Sequence, residues 1–234
     1  MSAVYTINRD QIINAALRTL GVIGAGDQPT SSDYANCAEA LNLYIKQLQT
    51  KGLPLWKYVD LNVPMVVNQY IYLLGPTGDV VCDRPLRVLM AFIRNPQGND
   101  TVLQQVSRQE YMSLGVKTSQ GVPNQFYYDP RLDNGVLYLY NVPNGTGYTV
   151  HLQVQSPISD VTNPNSTPEF PSEWFNCLKF GLADQVAFEY GVSAQVRNEL
   201  AQRAAKYLEE MTDWSQEEAS TDFQPEMRFK SGGW

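Results

Sequence analysis

The spacing of apolar residues changes period twice along the chain. Residues 1–56 and 168–214 carry the helical period, whereas residues 57–160 alternate and are punctuated by turns. In the first stretch Ile12, Ala16 and Leu20 recur every four positions, with Ile13 and Leu17 beside them. Asn8 precedes this run, Gln11 can reach back to it and Gly21 follows, which predicts a helix over 9–20. Tyr34, Cys37, Ala38, Leu41, Ile45 and Leu48 predict a second helix over 32–51. Its cap is Ser31 or Ser32, Asp33 complements its positive end, and Lys51-Gly52 ends it. Trp174, Leu178, Leu182 and Val186 predict a third over 172–190, stopped by Gly191. Val196, Leu200, Ala204, Leu208 and Met211 predict a fourth over 194–214, capped by Ser193 and supported by Glu199 and Arg203 four positions apart.

Between these stretches the pattern is that of strands. Val59, Leu61 and Val63 alternate with polar residues, and 69–73 is aromatic and β-branched. Residues 87–93 form a strand that 101–106 can join as a hairpin. Ser107 and Glu110 have the spacing of a capping box, so one helical turn is predicted to about Ser113. Residues 125–128 and 135–140 flank an Asp133-Asn-Gly turn. In 148–154, Tyr148, Val150, Leu152 and Val154 share one face; Thr149, His151 and Gln153 share the other. Five to seven strands with short links predict a mostly antiparallel sheet or small sandwich. Residues 156–171, rich in Pro, Ser, Thr and Asn, read as a linker returning to the helices. The fold class expected is therefore α+β: a four-helix bundle (1–56 and 168–214) with an inserted, mostly antiparallel β module (57–167, including the return linker) and an extended C-terminal tail (215–234).

Composition narrows the class. Of 234 residues, 43 % are hydrophobic and 18 % charged, a globular balance. The net charge is −7, which argues against attachment to DNA by bulk positive charge. The charge is uneven: residues 168–234 hold six bases against twelve acids. No apolar run approaches the roughly 20 residues of a membrane span, and Met1–Thr6 does not read as a signal peptide. Cys37, Cys82 and Cys177 are odd in number and form no CxxC, as expected of reduced thiols, and with His151 they lack zinc-ligand spacing.

Catalytic signals are weak. Gly21-Val-Ile-Gly-Ala-Gly26 has the wrong order for a dinucleotide loop and follows a helix. Asp129, Asp133, Asn134 and Gly135 resemble half of a calcium loop but lack its alternation and closing Glu, so a hairpin turn is expected. The single His151 lies on a polar strand face without a GxSxG nucleophile. No enzyme, cofactor or metal is expected. The 14 tyrosines include Tyr70, Tyr72, Tyr111, Tyr127, Tyr128, Tyr138, Tyr140 and Tyr148 in the β region. They suit a protein interface, with a carbohydrate-binding β module on a helical assembly domain as the alternative. Residues 215–234 have few aliphatics but spaced aromatics, the form of a segment that orders on a partner.

Several segments together resemble tailed-phage head-to-tail adaptor proteins, also called connector or tail tubular protein A-like proteins. Arg9-Asp-Gln-Ile-Ile-Asn-Ala-Ala-Leu-Arg-Thr-Leu-Gly21 is similar to the family's opening helix. Ala38 to Trp56 is similar to its second helix and exit, Gly115–Asp129 and Gly135–Pro143 to its β region, and Phe170–Ala183 to the start of its third helix. The resemblance implies a structural virion protein at the head–tail junction, assembled in the host cytoplasm. It implies a homo-oligomeric ring, usually of twelve copies, docked under the portal. Such a ring extends the channel through which double-stranded DNA passes without specific binding, and offers a surface to the tail nozzle or tail tube. No membrane is involved. In the family the C-terminal segment clasps the portal. Here that segment supplies Phe223, Phe229 and Trp234 as apolar anchors and Arg228 and Lys230 as partners for portal acids.

Overall fold

The structure is a computed structural model that describes residues 6–51 and 57–214. These residues form a mixed α+β protein with five α-helices and two β-sheets. The four long helices are α1 (Arg9–Leu20), α2 (Ser31–Thr50), α4 (Phe175–Val186) and α5 (Ala194–Trp214). The short α3 (Arg108–Ser113) lies among the strands.

Helix ends follow local chemistry. Asn8 and Gln11 form the expected reciprocal capping box of α1. Gly21, at φ 75°, ends it; the Gly21 and Val22 N–H groups donate to the Arg18 and Leu17 carbonyls. The 21–26 stretch is thus a helix exit. The cap of α2 is Thr30, not Ser31 or Ser32. A capping box needs a side-chain acceptor three residues on, and only Thr30 has one, in Asp33. Hydrogen bonds from Thr30 and Tyr190 hold the Asp33 carboxyl below the usual carboxylate range. The third predicted helix begins as a 3-10 turn over Ser172–Trp174 and leaves α geometry at Val186, short of Tyr190. Three-residue turns carry the chain to Gly191 and let the Tyr190 hydroxyl donate to Asp33 at 2.8 Å. In α5 the ion pair that forms four residues apart is Lys206–Glu210, at 3.6 Å. Glu199 and Arg203 do not pair, since an exposed pair contributes too little to immobilise two long side chains.

The helices converge on α4, which packs against α1, α2 and α5. Trp174, Cys177, Leu178, Leu182 and Val186 are almost wholly buried and meet Ile13, Leu17, Leu41 and Ile45. Gly181 admits the ring of Tyr44: a Cβ at that position would collide with it. The three cysteines are free thiols; Cys37 and Cys177 are buried beside the hydroxyls of Tyr190 and Tyr44. Burial pushes both thiols up from their ordinary range.

Nine strands lie between α2 and α4 among the described residues. They are β1 (Tyr58–Pro64), β2 (Ile71–Gly75), β3 (Val80–Val81), β4 (Arg87–Arg94), β5 (Asp100–Val102), β6 (Gln104–Gln105), β7 (Gln125–Asp129), β8 (Gly135–Tyr140) and β9 (Thr149–Gln155). One sheet runs β1-β9-β4-β5, all antiparallel; the other runs β3-β2-β8-β7-β6, with its two outermost pairs parallel. Val63, Ala91, Ile93, Val150, Leu152 and Val154 of the first sheet share one core with Tyr72, Leu74, Phe126, Leu137 and Leu139 of the second, so the sheets form a sandwich. The expected strand over 101–106 splits. Val102 pairs with Phe92, the Leu103 N–H donates to Ala91, and from Gln104 the chain crosses to β7. Buried Leu103 fills the corner between the sheets.

The sandwich joins the helices through one narrow neck. There β1 and β9 pair along their whole length, from Tyr58↔Gln155 to Pro64↔Thr149, and the Ser156 N–H donates to Lys57 at 2.8 Å. The return segment then lies along the helices. Ile158 and Val161 are buried in the helical core. Asn42 accepts the Val161 N–H at 2.8 Å, Lys46 and Gln49 donate to the Ile158 carbonyl, and the Arg9 guanidinium donates to Thr162 at 2.6 Å.

The capping assignment predicts that Thr30→Ala lowers unfolding free energy by about 1 kcal/mol while Ser31→Ala leaves it unchanged, as read by urea denaturation. The Asp33 contribution is present above the carboxylate's unfolded pKa. It should be lost as pH falls through the depressed folded value, and Asp33→Asn should remove that acid limb.

Candidate functional site

The outer side of the β1-β9-β4-β5 sheet, built by strand alternation, is an uncovered face among the described residues. Its register aligns Asn62, His151, Phe92 and Val102 in one row across four strands. Asp60, Gln153 and Met90 form a second row, and Pro64, Thr149, Arg94 and Asp100 a third. Phe92 stacks on His151 with ring centroids 4.7 Å apart and planes 8° from parallel. Arg94 lies 5.6 Å from the Phe92 centroid and makes a two-toothed pair with Asp100 at 2.7 and 2.8 Å. That pair holds the Asp100 carboxyl below its ordinary range. Met90 is 58 % exposed and Val102 72 %. The face thus combines apolar, aromatic and charged groups, the mixture of a protein contact surface.

A shallow cavity of about 260 Å³ on this face is lined by Asp60, Met90, Phe92, His151, Leu152 and Gln153. His151 there has a stacking partner, and neither serine nor cysteine lines the cavity. A larger cavity of about 420 Å³ lies between α2 and the neck, lined by Lys46, Gln49, Thr50, Leu86, Arg87 and Gln155. Lys46 is engaged by Asp160 at 2.6 Å, and Gln49 donates to Ile158. Among the described residues no three His, Cys, Asp or Glu side chains gather as a metal site. Asp129, of the calcium-like turn, pairs with Arg131 at 2.9 Å; Asn134 bonds Thr77.

The opposite face of the sandwich is covered in part, over β7 and β8, while Ile71 and Leu73 of β2 stay exposed. Tyr111 of α3 lies over Tyr127 and Tyr138 of β7 and β8, at centroid distances of 5.9 and 5.2 Å. The eight tyrosines of the β region therefore do not form an open platform. Tyr72, Tyr111, Tyr127 and Tyr128 are buried, and Tyr70, Tyr138, Tyr140 and Tyr148 are half-buried. Tyr72 donates to the Gln69 carbonyl and Tyr128 to that of Pro85. A sugar-stacking module needs exposed rings, and these serve the core and the α3 contact instead. Tyr111 keeps a buried hydroxyl without a hydrogen-bond partner among the described residues, and burial pushes it up to about 12.

The site residues expected from sequence, Phe223, Arg228, Phe229, Lys230 and Trp234, lie outside the described residues. The Met90–Phe92–Val102 face escaped the sequence reading, although the alternation of 87–94 contains it. Ala91 and Ile93 turn inward, and the bulge between Val88 and Met90 sets which residues turn outward.

Two predictions follow from these faces. Met90→Ser and Val102→Ser should each change unfolding free energy by no more than about 0.5 kcal/mol, whereas Ile93→Ala on the inner face should cost about 2–5 kcal/mol in the same urea titration. Tyr111→Phe should be neutral to stabilising at neutral pH, because it removes an unpaired buried hydroxyl. The raised folded pKa of Tyr111 adds stability below the phenol's unfolded value near 10 that is lost as pH rises toward about 12. The variant should therefore resist alkaline unfolding better than the parent, as followed by circular dichroism.

No helix of the described residues is long and apolar enough to cross a membrane. No curated protein matches the chain. The SU10 adaptor protein family matches it over residues 7–226, which takes in every helix and strand described above. The chain therefore belongs to the SU10 adaptor protein family, a phage head–tail adaptor family whose members are structural components of the virion.

Proposed function

We propose that the protein is a ring-forming head-to-tail adaptor that docks under the portal, extends the DNA channel and provides the attachment surface for the tail. The observation that carries this reading is the family match across almost the whole chain, helices and sandwich together. A ring of about a dozen copies requires heterologous contacts whose rotation closes. The four long helices act as the bundle that forms the ring body, and the 57–167 module projects from it. The exposed face that carries Met90, Phe92 and Val102 suits a contact with the tail nozzle or tube. Double-stranded DNA passes the lumen without being gripped, as a chain of net charge −7 permits. Residues 215–234 carry the portal contact, with Phe229 and Trp234 as anchors and Arg228 and Lys230 pairing portal acids; Phe223 belongs to the same segment but stands among acids.

The native mass of the purified protein, alone and mixed with portal, tests the reading directly. The expected species is a closed assembly of about a dozen 26.3 kDa chains that binds the portal. Deleting 215–234 should leave the helices and sandwich folded by circular dichroism while abolishing co-sedimentation with portal. A truncated form that binds portal at parental affinity rules out the assignment of that segment.

A further inference from the structure

Among the cations on or beside the helices, Arg9, Lys46, Lys57 and Lys206 each form an ion pair with a carboxylate. Arg18, Lys179 and Arg203 form none among the described residues. They come from three adjoining helices, since α4 packs on both α1 and α5. Lys179 is half-buried, with its Nζ 4.3 Å from the centroid of Phe180. Phe180 stacks on Tyr207 at 5.0 Å, which is one turn beyond Arg203 on α5. Burial, and then the charges of Arg18 and Arg203, hold the Lys179 ammonium below the usual lysine range. Three cations crowded without a carboxylate cost free energy that an incoming anion would relieve.

A groove of mixed lining adjoins the cluster. It lies between α1 and α4 and has a volume of about 400 Å³; Ile7, Ile12, Ala15 and Phe175 give it an apolar part, and Gln11, Ser172, Asn176 and Lys179 a polar one. A nucleic-acid phosphate would satisfy the charges and leave the groove unfilled. A peptide carrying carboxylates around an apolar side chain satisfies both. The chain holds such a segment directly after α5. Residues 215–226 contain Glu217, Glu218, Asp222 and Glu226, the aromatic Phe223 and no base. In a closed ring a neighbouring copy's groove is offered to this segment.

We propose that the groove between α1 and α4, with Arg18, Lys179 and Arg203, receives the acidic 217–226 segment of a second copy, with Phe223 as its apolar anchor. Residues 227–234 then continue to the portal. This rests on the ring reading above and assigns Phe223 to the neighbouring copy.

The test uses the full chain. Ordinary and 15N-labelled protein are mixed under dissociating conditions, reassembled and treated with a carbodiimide, which joins an amine to a carboxylate in direct contact. Mass spectrometry should find Lys179 joined to Glu217, Glu218, Asp222 or Glu226 in pairs of mixed isotope. Arg18→Glu with Arg203→Glu, both exposed and leaving Lys179 to report, should lower that yield about tenfold. Phe223→Ala should lower it as well. Pairs of one isotope only place the segment on its own copy and overturn the proposal. Intact rings without any Lys179 link to 217–226, or an unchanged yield in the double variant, overturn it while leaving the ring reading standing. A chain that stays monomeric by sedimentation overturns the ring reading itself. Loss of DNA retention by the double variant at undiminished cross-linking identifies the cluster as a phosphate site and overturns the peptide assignment.

Discussion

The pairing of β1 with β9 is the constraint on which the rest of the structure depends. The chain leaves the helices after α2 and must re-enter them before α4, with nine strands in between. Seven consecutive residue pairs between the first and last strands, from Tyr58↔Gln155 to Pro64↔Thr149, bring exit and entry side by side. The sandwich can therefore carry its own core without contributing to the helical one, and the two clusters share no residue. The same pairing aims the return segment along α2, where Asn42, Lys46 and Gln49 satisfy its backbone. An irregular segment buried against helices is tolerable only when its peptide groups are bonded in this way.

The sandwich is asymmetric for a physical reason. Two sheets bury their inner faces in each other, and each is left with an outer face. On one side α3 and its Tyr111 close over Tyr127 and Tyr138, so apolar area there is used internally. On the other side nothing in the described chain covers Met90, Phe92 and Val102. Apolar side chains on the exposed face of a rigid sheet give little folding stability and are available for association. Proximity to the neck separates these roles further, because β9 begins among the exposed rows at Thr149 and ends at Gln155, which is buried beside α2.

Helices were the most legible part of the sequence because their signals are local. Asn8 with Gln11 and Ser107 with Glu110 are read from three-residue spacing, and both boxes form. The cap of α2 was misplaced by one or two residues because three hydroxyl residues adjoin, and the partner Asp33 decides among them. The sandwich was legible as strands and alternation, but not as two sheets. Nothing local to 101–106 says that the chain changes sheet at Leu103, since the competing partners, β4 and β7, are distant in sequence. The face of Met90 depends on a bulge that periodicity alone does not reveal. The cluster of Arg18, Lys179 and Arg203 had no sequence signal, because it exists only through the packing of α1 and α5 on α4.

Charge distribution gives the acidic segment and the cation cluster a common logic. The chain has 24 acids against 17 bases, and four of the acids fall within 217–226. In the proposed ring those four carboxylates would recur in every copy, and their mutual repulsion would oppose closure. Removing the acids would relieve the repulsion but forfeit a surface that leaves phosphate free to move. Placing each set against Arg18, Lys179 and Arg203 of a neighbour reduces four negative charges to about one per copy and turns repulsion into an inter-copy contact. On that proposal the residual charge would be weakly acidic, low enough for assembly and still of the sign that would let DNA pass without being held.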